Sequence, residues 1–425
     1  MWDYYKDKKI LITGGSGFLG TVLVHRILKT QPDVGHIYVL CRTDREGLKN
    51  RWQKWLGSAH NDVWKTNKID VVQLDISKKN TPQDFEDALG SFEIDIVVHA
   101  ASSINLDRPI GKIKNVIIEA SMALAEYVSR RQDVKRFVYV STSFANSHLQ
   151  FDSDSKTLAI PIEETIYPLG DAQKEWEDIS NGIEPPYVKK FPWAYAYAKH
   201  LTERLLQQKL GDKLMIVRPS IIGPALQFPV RGFSVIKSTP CVTLAAAVML
   251  LPAWRITFAS GLPNPNVNAT CNAIPVDVVA DRLLAHLASG NNQVVHAVGK
   301  PVPFENLWAS IMKQRRYPWK ANVVWVKDDW NSPKVHRIGR LFKVLGTAFD
   351  FSDANTIELQ EKMDKLEPNI IVSEKGAQIG TQPQLFADHE IDLINFGAWK
   401  TQVRDSMDMF ARRDWVTKVI VRVLY

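Results

Sequence analysis

The chain is 425 residues long, enough to bury a large core and to build two domains or one domain with an extension. Its 45% hydrophobic and 23% charged content is ordinary for a globular protein. The net charge of +7 is dispersed along the chain, which suits an anionic small ligand or a weak attraction to an anionic membrane or acidic carrier, and no nucleic-acid module signature accompanies it. Three cysteines, Cys41, Cys241 and Cys271, are too few and too spread for a disulfide framework or a zinc site. The first residues carry no secretory signal, so the expected setting is intracellular, in the cytoplasm or peripherally on an organelle membrane. No apolar run reaches the length of a membrane span.

In chain order, Ile10–Ile12 is a first apolar run that ends in a glycine-rich loop, and Val22–Leu28 follows with helical spacing. Ile37–Leu40, Val71–Leu74, Ile94–His99, Phe137–Val140 and Met215–Val217 are further apolar runs. A polar helical stretch, Glu46–Gly57, and an amphipathic one, Phe85–Leu89, lie between them. Such alternation predicts an α/β fold, a doubly wound parallel sheet covered on both faces. Asp152–Tyr187 is rich in Asp, Glu, Pro and Gly and reads as an extended loop. Beyond Pro224 the rhythm weakens. Val242–Leu251 reads as core, with an acyl-tunnel lining as the alternative. Val276–Leu287 and Asn355–Leu366 are predicted helices and Val294–Val298 a strand. Trp415–Tyr425 mixes Lys418 and Arg422 into Val, Ile and Leu, and reads as an edge strand or core segment, with a short surface anchor as the alternative.

Gly14, Gly17 and Gly20 stand at G-x-x-G-x-x-G spacing, directly after a strand and at the opening of a helix. That is the context in which glycines admit a pyrophosphate and a helix N-terminus holds it. At the end of the second predicted strand stands Arg42 rather than an acid, with Asp44 nearby, which favours the 2′-phosphate of NADPH over NAD. Tyr195 and Lys199 are four residues apart and share a helix face, with Tyr197 pointing elsewhere. The pairing suggests a catalytic phenol whose pKa is lowered by the ammonium, with Lys199 also reaching the nicotinamide ribose. A hydroxyl at the end of the fifth strand, Thr142 or Ser143, is expected to join them.

This set resembles the extended short-chain dehydrogenase/reductases, and in its finer text their fatty acyl-CoA reductase and thioester reductase branch. The resemblance rests on Thr13–Leu23, His99–Asp107, Val140–Asn146 (with Phe144 where the family usually has Tyr), Glu163-Glu164 with Tyr167-Pro168, Tyr195–Glu203, Val217–Ile222 and Ile274–Val279. More loosely, it extends to Phe349–Thr356 and Asp388–Trp399. It implies a reductase domain over 1–300, with substrate-contacting insertions at about 151–190 and 225–275, and a small, mainly helical domain over 301–425. It places Ser16, Phe18 and Leu19 with the glycines on the pyrophosphate, Asp75 and Ile76 by the adenine, Ala100, Ala101 and Ser102 beside the cofactor, and Pro219 and Ser220 at the nicotinamide. His99 is expected to be structural. The implied reaction is NADPH-dependent reduction of an acyl thioester, a long-chain acyl-CoA or a carrier-bound one, to a primary alcohol by way of the aldehyde. No metal is implied. Rivals are a sugar-nucleotide or sterol dehydrogenase of the same fold and an NADPH-binding scaffold or sensor. Peripheral membrane contact and oligomeric state are left open.

Overall fold

The computed structural model describes residues 1–106, 108–152, 159–291, 293–366, 383–387, 396–412 and 415–424. Its strands, in chain order, begin with β1 (Lys9–Thr13), β2 (His36–Cys41), β3 (Ile69–Gln73), β4 (Ile96–His99) and β5 (Arg136–Val140). Next come β6 (Pro161–Ile162), β7 (Leu214–Pro219), β8 (Ile221–Gly223), β9 (Arg255–Ala259) and β10 (Thr270–Pro275). The last are β11 (Val294–Ala297), β12 (Pro301–Pro303), β13 (Asn322–Val326) and β14 (Asp350–Phe351). Seven of them form one parallel sheet in the order β3-β2-β1-β4-β5-β7-β11.

The sheet forms because its strands are continuous apolar runs that only a two-sided cover can bury. In β1, Ile10, Leu11 and Ile12 are all fully buried. Ile10 and Ile12 point into the core under the Phe18–Thr30 and Val276–Ala288 helices. Leu11 points the other way, under the Pro82–Leu89 and Ala120–Ser129 helices, as the two-residue period of a strand requires. Helix starts follow local chemistry. Asp44 accepts from Gly47 N at 2.8 Å to open Arg45–Leu56, and Thr81 and Asp84 form a reciprocal cap with Pro82 at the first position. The strand order reverses direction between β1 and β4, so a crevice opens at their carboxyl ends.

Two expectations are corrected. The acidic stretch read as an extended loop contains the helix Ala172–Ser180, because Asp171 caps it from Gln173 N and Lys174 N while Ala172 and Ile179 face the core; residues 153–158 lie outside the described ones. Trp415–Leu424 is a helix rather than an edge strand, while the reading of it as a core segment holds, with Val421 buried in the second core and Ile420 packed against it. Its β-branched residues carry strand propensity, and packing overrides it.

That second core joins residues 241–273 to residues 302–421. At its centre is the Pro240–Leu250 helix, buried against the Phe304–Gln314 and Phe396–Ala411 helices. The run with two readings in the sequence is thus packed as core. Cys241 and Cys271 meet inside it with their sulfurs 3.6 Å apart, both unbridged.

Among the described residues the Glu203–Arg218 ion pair is the most deeply buried. Glu203, on the Ala194–Leu210 helix, receives Arg218 Nε at 2.9 Å and an Arg218 terminal nitrogen at 2.6 Å, with both side chains fully buried. Arg218 also donates to the Thr165 carbonyl at 2.8 Å. Removing one partner strands the other charge in a low-dielectric interior. Glu203→Gln is therefore expected to cost about 3–5 kcal/mol of stability, read as a lower urea midpoint at unchanged slope. A loss below about 1 kcal/mol, the range of an exposed pair, contradicts this.

Candidate active site

The carboxyl edge of the sheet gathers the glycine loop, the ends of β4, β5 and β7, and the start of the Ala194–Leu210 helix. Gly14 has a positive φ of 71°, and a side-chain carbon there would lie 2.8 Å from the Ala101 backbone. Gly20 fits for the same reason: its Cβ would collide with the Gly14 carbonyl and stand 2.6 Å from Gly15 Cα. Gly17 is the N-cap of the Phe18–Thr30 helix and contributes no side-chain cap, so the first-turn N–H groups are left for another acceptor. Ser16, Phe18 and Leu19 sit on this turn. Thr13 Oγ1 accepts from Ala101 N at 3.2 Å, tying the loop to the end of β4 where Ala100, Ala101 and Ser102 lie.

Beside this crevice stands the Tyr-Lys pair. Tyr195 is half-buried at the first turn of its helix and shares a hydrogen bond with the Thr142 side chain. Burial pushes its phenol up to about 12, against the lowering effect of Thr142. Lys199 is buried and donates from Nζ to the Val140 carbonyl at 2.7 Å, with the ammonium 4.5 Å from the Tyr139 ring centre. Burial holds it down at about 7, partly offset by the Glu203 carboxylate. The expectation that Lys199 lowers the phenol pKa is therefore corrected. The ammonium is spent on a backbone carbonyl, and desolvation sets the phenol.

Thr142 and Ser143 separate clearly. Thr142 caps the turn Ser143–Asn146 and reaches Tyr195. Ser143 is fully buried, with its hydroxyl unpaired. Tyr197 is fully buried and donates to Glu175 at 2.6 Å, within a pair that Glu175 makes with Arg204. His99 bridges Thr13 Oγ1 at 2.7 Å and Ser121 Oγ at 3.0 Å; burial lowers it to about 3, so the ring is neutral. At the far side, Ser220 follows Pro219, and the Ser141 and Ser220 hydroxyls are buried without partners.

On the adenosine side, Arg42 is exposed at the end of β2, while Asp44 is committed to its helix cap. Asp75 is pulled below its ordinary value because hydrogen bonds from Ser77 and the charge of Arg42 outweigh its burial; Ile76 beside it is buried. The sequence reading misses Arg51. It donates to the Ser16 carbonyl at 3.4 Å and lies over Trp55 at 5.9 Å. Its signal was helical spacing from Arg45 toward the glycine loop, hidden in a stretch read only as polar. Glu164 is also new as a structural tie. It accepts from His296 N at 2.6 Å and Asn355 N at 2.7 Å, and burial raises it to about 7. A cavity of about 590 Å³ opens beside it at the starts of β7 and β11, away from Tyr195.

These residues fit a dinucleotide. The glycine cradle has room for a pyrophosphate, the uncapped helix turn offers donors, and the buried hydroxyls of Ser141 and Ser220 are left without protein partners. Among the described residues no group of three or more His, Cys, Asp or Glu is placed to hold a metal ion.

The low value of Lys199 has a pH signature. The unfolded chain keeps that proton up to the ordinary 10.5, whereas the folded chain releases it near 7. Between those values the unfolded state binds more protons, so folding gains stability as pH rises, by about 1.4 kcal/mol per unit. Lys199→Met removes this term. Its stability advantage over the parent, measured by urea unfolding without added nucleotide, should shrink steadily from pH 7 to pH 9; a constant difference contradicts the shift.

Comparison with known proteins gives the family and the fold. A family model for an NAD-binding domain, described as male sterility protein, matches residues 12–283. Fatty acyl-CoA reductase 1 of Xenopus laevis is 30% identical over 309 residues, covering 67% of this chain and 55% of that protein. Fatty acyl-CoA reductase 2 of Homo sapiens is 28% identical over 302 residues, covering 66% and 55%. The chain spans about half the length of the curated relatives it matches. Among solved structures, the terminal R domain from the myxalamid PKS-NRPS biosynthetic pathway superposes with a TM-score of 0.57 at 19% identity, covering 83% of this chain and 85% of that one. That likeness shows the fold, an extended short-chain reductase sheet. The chain belongs to the male sterility protein family, the fatty acyl-CoA reductase branch of the NAD(P)-binding extended short-chain dehydrogenase/reductases.

Proposed function

We propose that this protein is an NADPH-dependent reductase of acyl thioesters that converts long-chain fatty acyl-CoA to the primary alcohol by way of the aldehyde. The observation that carries the reading is the Tyr195 hydroxyl, hydrogen-bonded with Thr142 beside the glycine cradle and raised to about 12. Such a phenol is protonated at neutral pH. That is the state a reduction needs, since the carbonyl oxygen must receive a hydrogen bond and then a proton. The names of the relatives supply the thioester.

Bound at the cradle, the reduced cofactor supplies a hydride. Tyr195 donates to the acyl oxygen as negative charge develops on it, and Thr142 holds the phenol in line. The first reduction gives a hemithioacetal, which expels the thiol and leaves the aldehyde. A second hydride and proton then give the alcohol. Lys199 anchors the helix to β5 through the Val140 carbonyl and would hold the nicotinamide ribose of the bound cofactor. Ser143 stays in reserve as a polar group behind Thr142; Pro219 and Ser220 would border the nicotinamide. Arg42 and Arg51 favour the 2′-phosphate, because two cations stand near the end of β2 while Asp44 is taken up by its helix cap and Asp75 by Ser77.

The test is nicotinamide consumption with a panel of acyl-CoA chain lengths and product identification by mass spectrometry. Two NADPH per primary alcohol is the expected result. One NADPH with accumulated aldehyde limits the enzyme to the first step. No turnover of acyl-CoA, with turnover of a carrier-loaded acyl group, transfers the reading to a carrier-bound thioester; inertness toward both overturns it in favour of another substrate or a sensor. Tyr195→Phe should lower kcat by about a hundredfold or more with nucleotide binding retained. Arg42→Ala combined with Arg51→Ala should weaken NADPH by about tenfold or more relative to NADH, because the variant loses charge-assisted bonds to a phosphate that NADH lacks. An unchanged ratio of the two affinities rejects that role.

A further inference from the structure

We propose that the lobe built on the second core carries a membrane-docking knuckle, Trp254 stacked on Trp319 with Tyr317 behind, that seats in the headgroup layer of an anionic bilayer. Trp254 is 68% exposed, the most exposed of the protein's large hydrophobic side chains among the described residues. A large indole left in water forgoes the stabilisation that burial would bring. Its ring lies parallel to that of Trp319, with centroids 5.0 Å apart and planes 10° from each other. Tyr317 packs on Trp319 at 5.3 Å.

The knuckle is held rigidly. Arg315 donates to the carbonyls of Leu251 at 2.6 Å, Ala253 at 3.1 Å and Trp319 at 2.5 Å, and its guanidinium lies 4.4 Å from the Tyr317 ring centre. The Tyr317 hydroxyl donates to the Leu250 carbonyl at 3.0 Å. Asn322 N donates to the Trp254 carbonyl at 2.8 Å, where β13 begins its pairing with β9. Two loops are thus clamped into one projection, so little ordering entropy remains to be lost on docking.

Charge selects the partner. No Asp or Glu occurs between Lys213 and Val276, or between Asn306 and Lys327. Both loops of the knuckle lie inside these acid-free stretches, and Arg255, Arg316 and Lys320 are exposed in them. In a chain with 46 acidic residues, exposed Arg255 and Lys320 flanking stacked indoles within two acid-free segments are a specific arrangement. An anionic bilayer satisfies both parts. Amphipathic Trp and Tyr rings settle at the headgroup level, and nearby Lys and Arg side chains are drawn to anionic lipid. A soluble acidic protein would answer the cations and a second copy of this chain would answer the indole, but a second copy brings a like-charged rim. Among the described residues no helix is long and apolar enough to cross a membrane, so contact through this face is peripheral. The knuckle stands at the start of β9, outside the seven-stranded sheet and away from the helix that carries Tyr195, so this inference does not depend on the thioester reading.

The test is flotation of the full chain with vesicles of phosphatidylcholine and phosphatidylserine, against vesicles of phosphatidylcholine alone. The parent is expected to float with the anionic vesicles, with its tryptophan emission shifted to the blue. Trp254→Ser should weaken this by about tenfold or more, Trp254→Phe should retain part of it, and Arg255→Glu with Lys320→Glu should abolish it. The melting temperature and nucleotide binding of all these variants should match the parent, because the altered side chains are exposed. Absence of flotation, or flotation unaffected by Trp254→Ser and by the charge reversals, overturns the proposal. So does parent protein that binds no vesicle but forms a dimer that Trp254→Ser dissociates, or that binds only a soluble acidic protein.

Discussion

Backbone meets backbone at the carboxyl edge of the sheet, and much of the molecule is arranged around that contact. Gly14 lies against Ala101 and Gly20 against the Gly14 carbonyl, with no room for a side-chain carbon at either position. This closeness sets where the Phe18–Thr30 helix begins and brings it down on β1. The same helix then organises its neighbours. Arg26 pairs with Asp281 at 2.7 Å across to the Val276–Ala288 helix. Asp277, in the first turn of that second helix, accepts from three consecutive backbone N–H groups, those of Leu226, Gln227 and Phe228, at 2.8–3.0 Å. The loop so held places Phe233 on Phe18, directly beside the glycine turn. Widening the first contact by one methyl group would therefore displace a chain of packed elements, not one turn alone.

The Ala194–Leu210 helix imposes a second constraint, because it carries charge into the interior. Glu203 and Arg204 are each matched by a partner of opposite charge in bidentate geometry, Arg218 for one and Glu175 for the other. Lys199 has only a carbonyl and an aromatic face, and the more distant Glu203. The difference appears in its protonation: a cation with incomplete compensation moves toward its neutral form. A buried amine near 7 and a phenol near 12 thus lie side by side on one helix, set by desolvation in opposite directions. The phenol remains a donor, and the amine is sensitive to whatever negative charge is placed above it.

Chain beyond the sheet is not an appendage. Phe349 and Phe351 bring their rings to 5.3 and 5.7 Å from Phe144, behind the turn that presents Thr142. β14 pairs with β6, and Glu164 ties that same acidic loop to β11 and to the start of the Ala354–Leu366 helix. The hydroxyl that faces Tyr195 therefore rests on residues more than two hundred positions away in sequence.

The sequence by itself determined the parts whose physics is local. A β-branched run, glycines at turn spacing and two residues four apart on a helix have their meaning within a few residues, so the parallel sheet, the nucleotide loop and the Tyr195–Lys199 pair were legible. Family resemblance extended the reading to the ends of β4 and β7, which the fold gathers beside the glycine loop. Tertiary structure decided whatever depends on neighbours remote in the chain. It gave Thr142 and Ser143, both buried, different surroundings: the Thr142 side chain meets Tyr195, while the Ser143 hydroxyl has no partner. It reversed the shift of the phenol, because desolvation is a property of the surroundings and not of the i, i+4 partner. It brought Arg51 to the glycine loop, made helices of 172–180 and 415–424, and fused 241–273 with 302–421 in one core. Spacing along the chain can place a side chain on a face; only the fold decides what that face meets and how much water remains there.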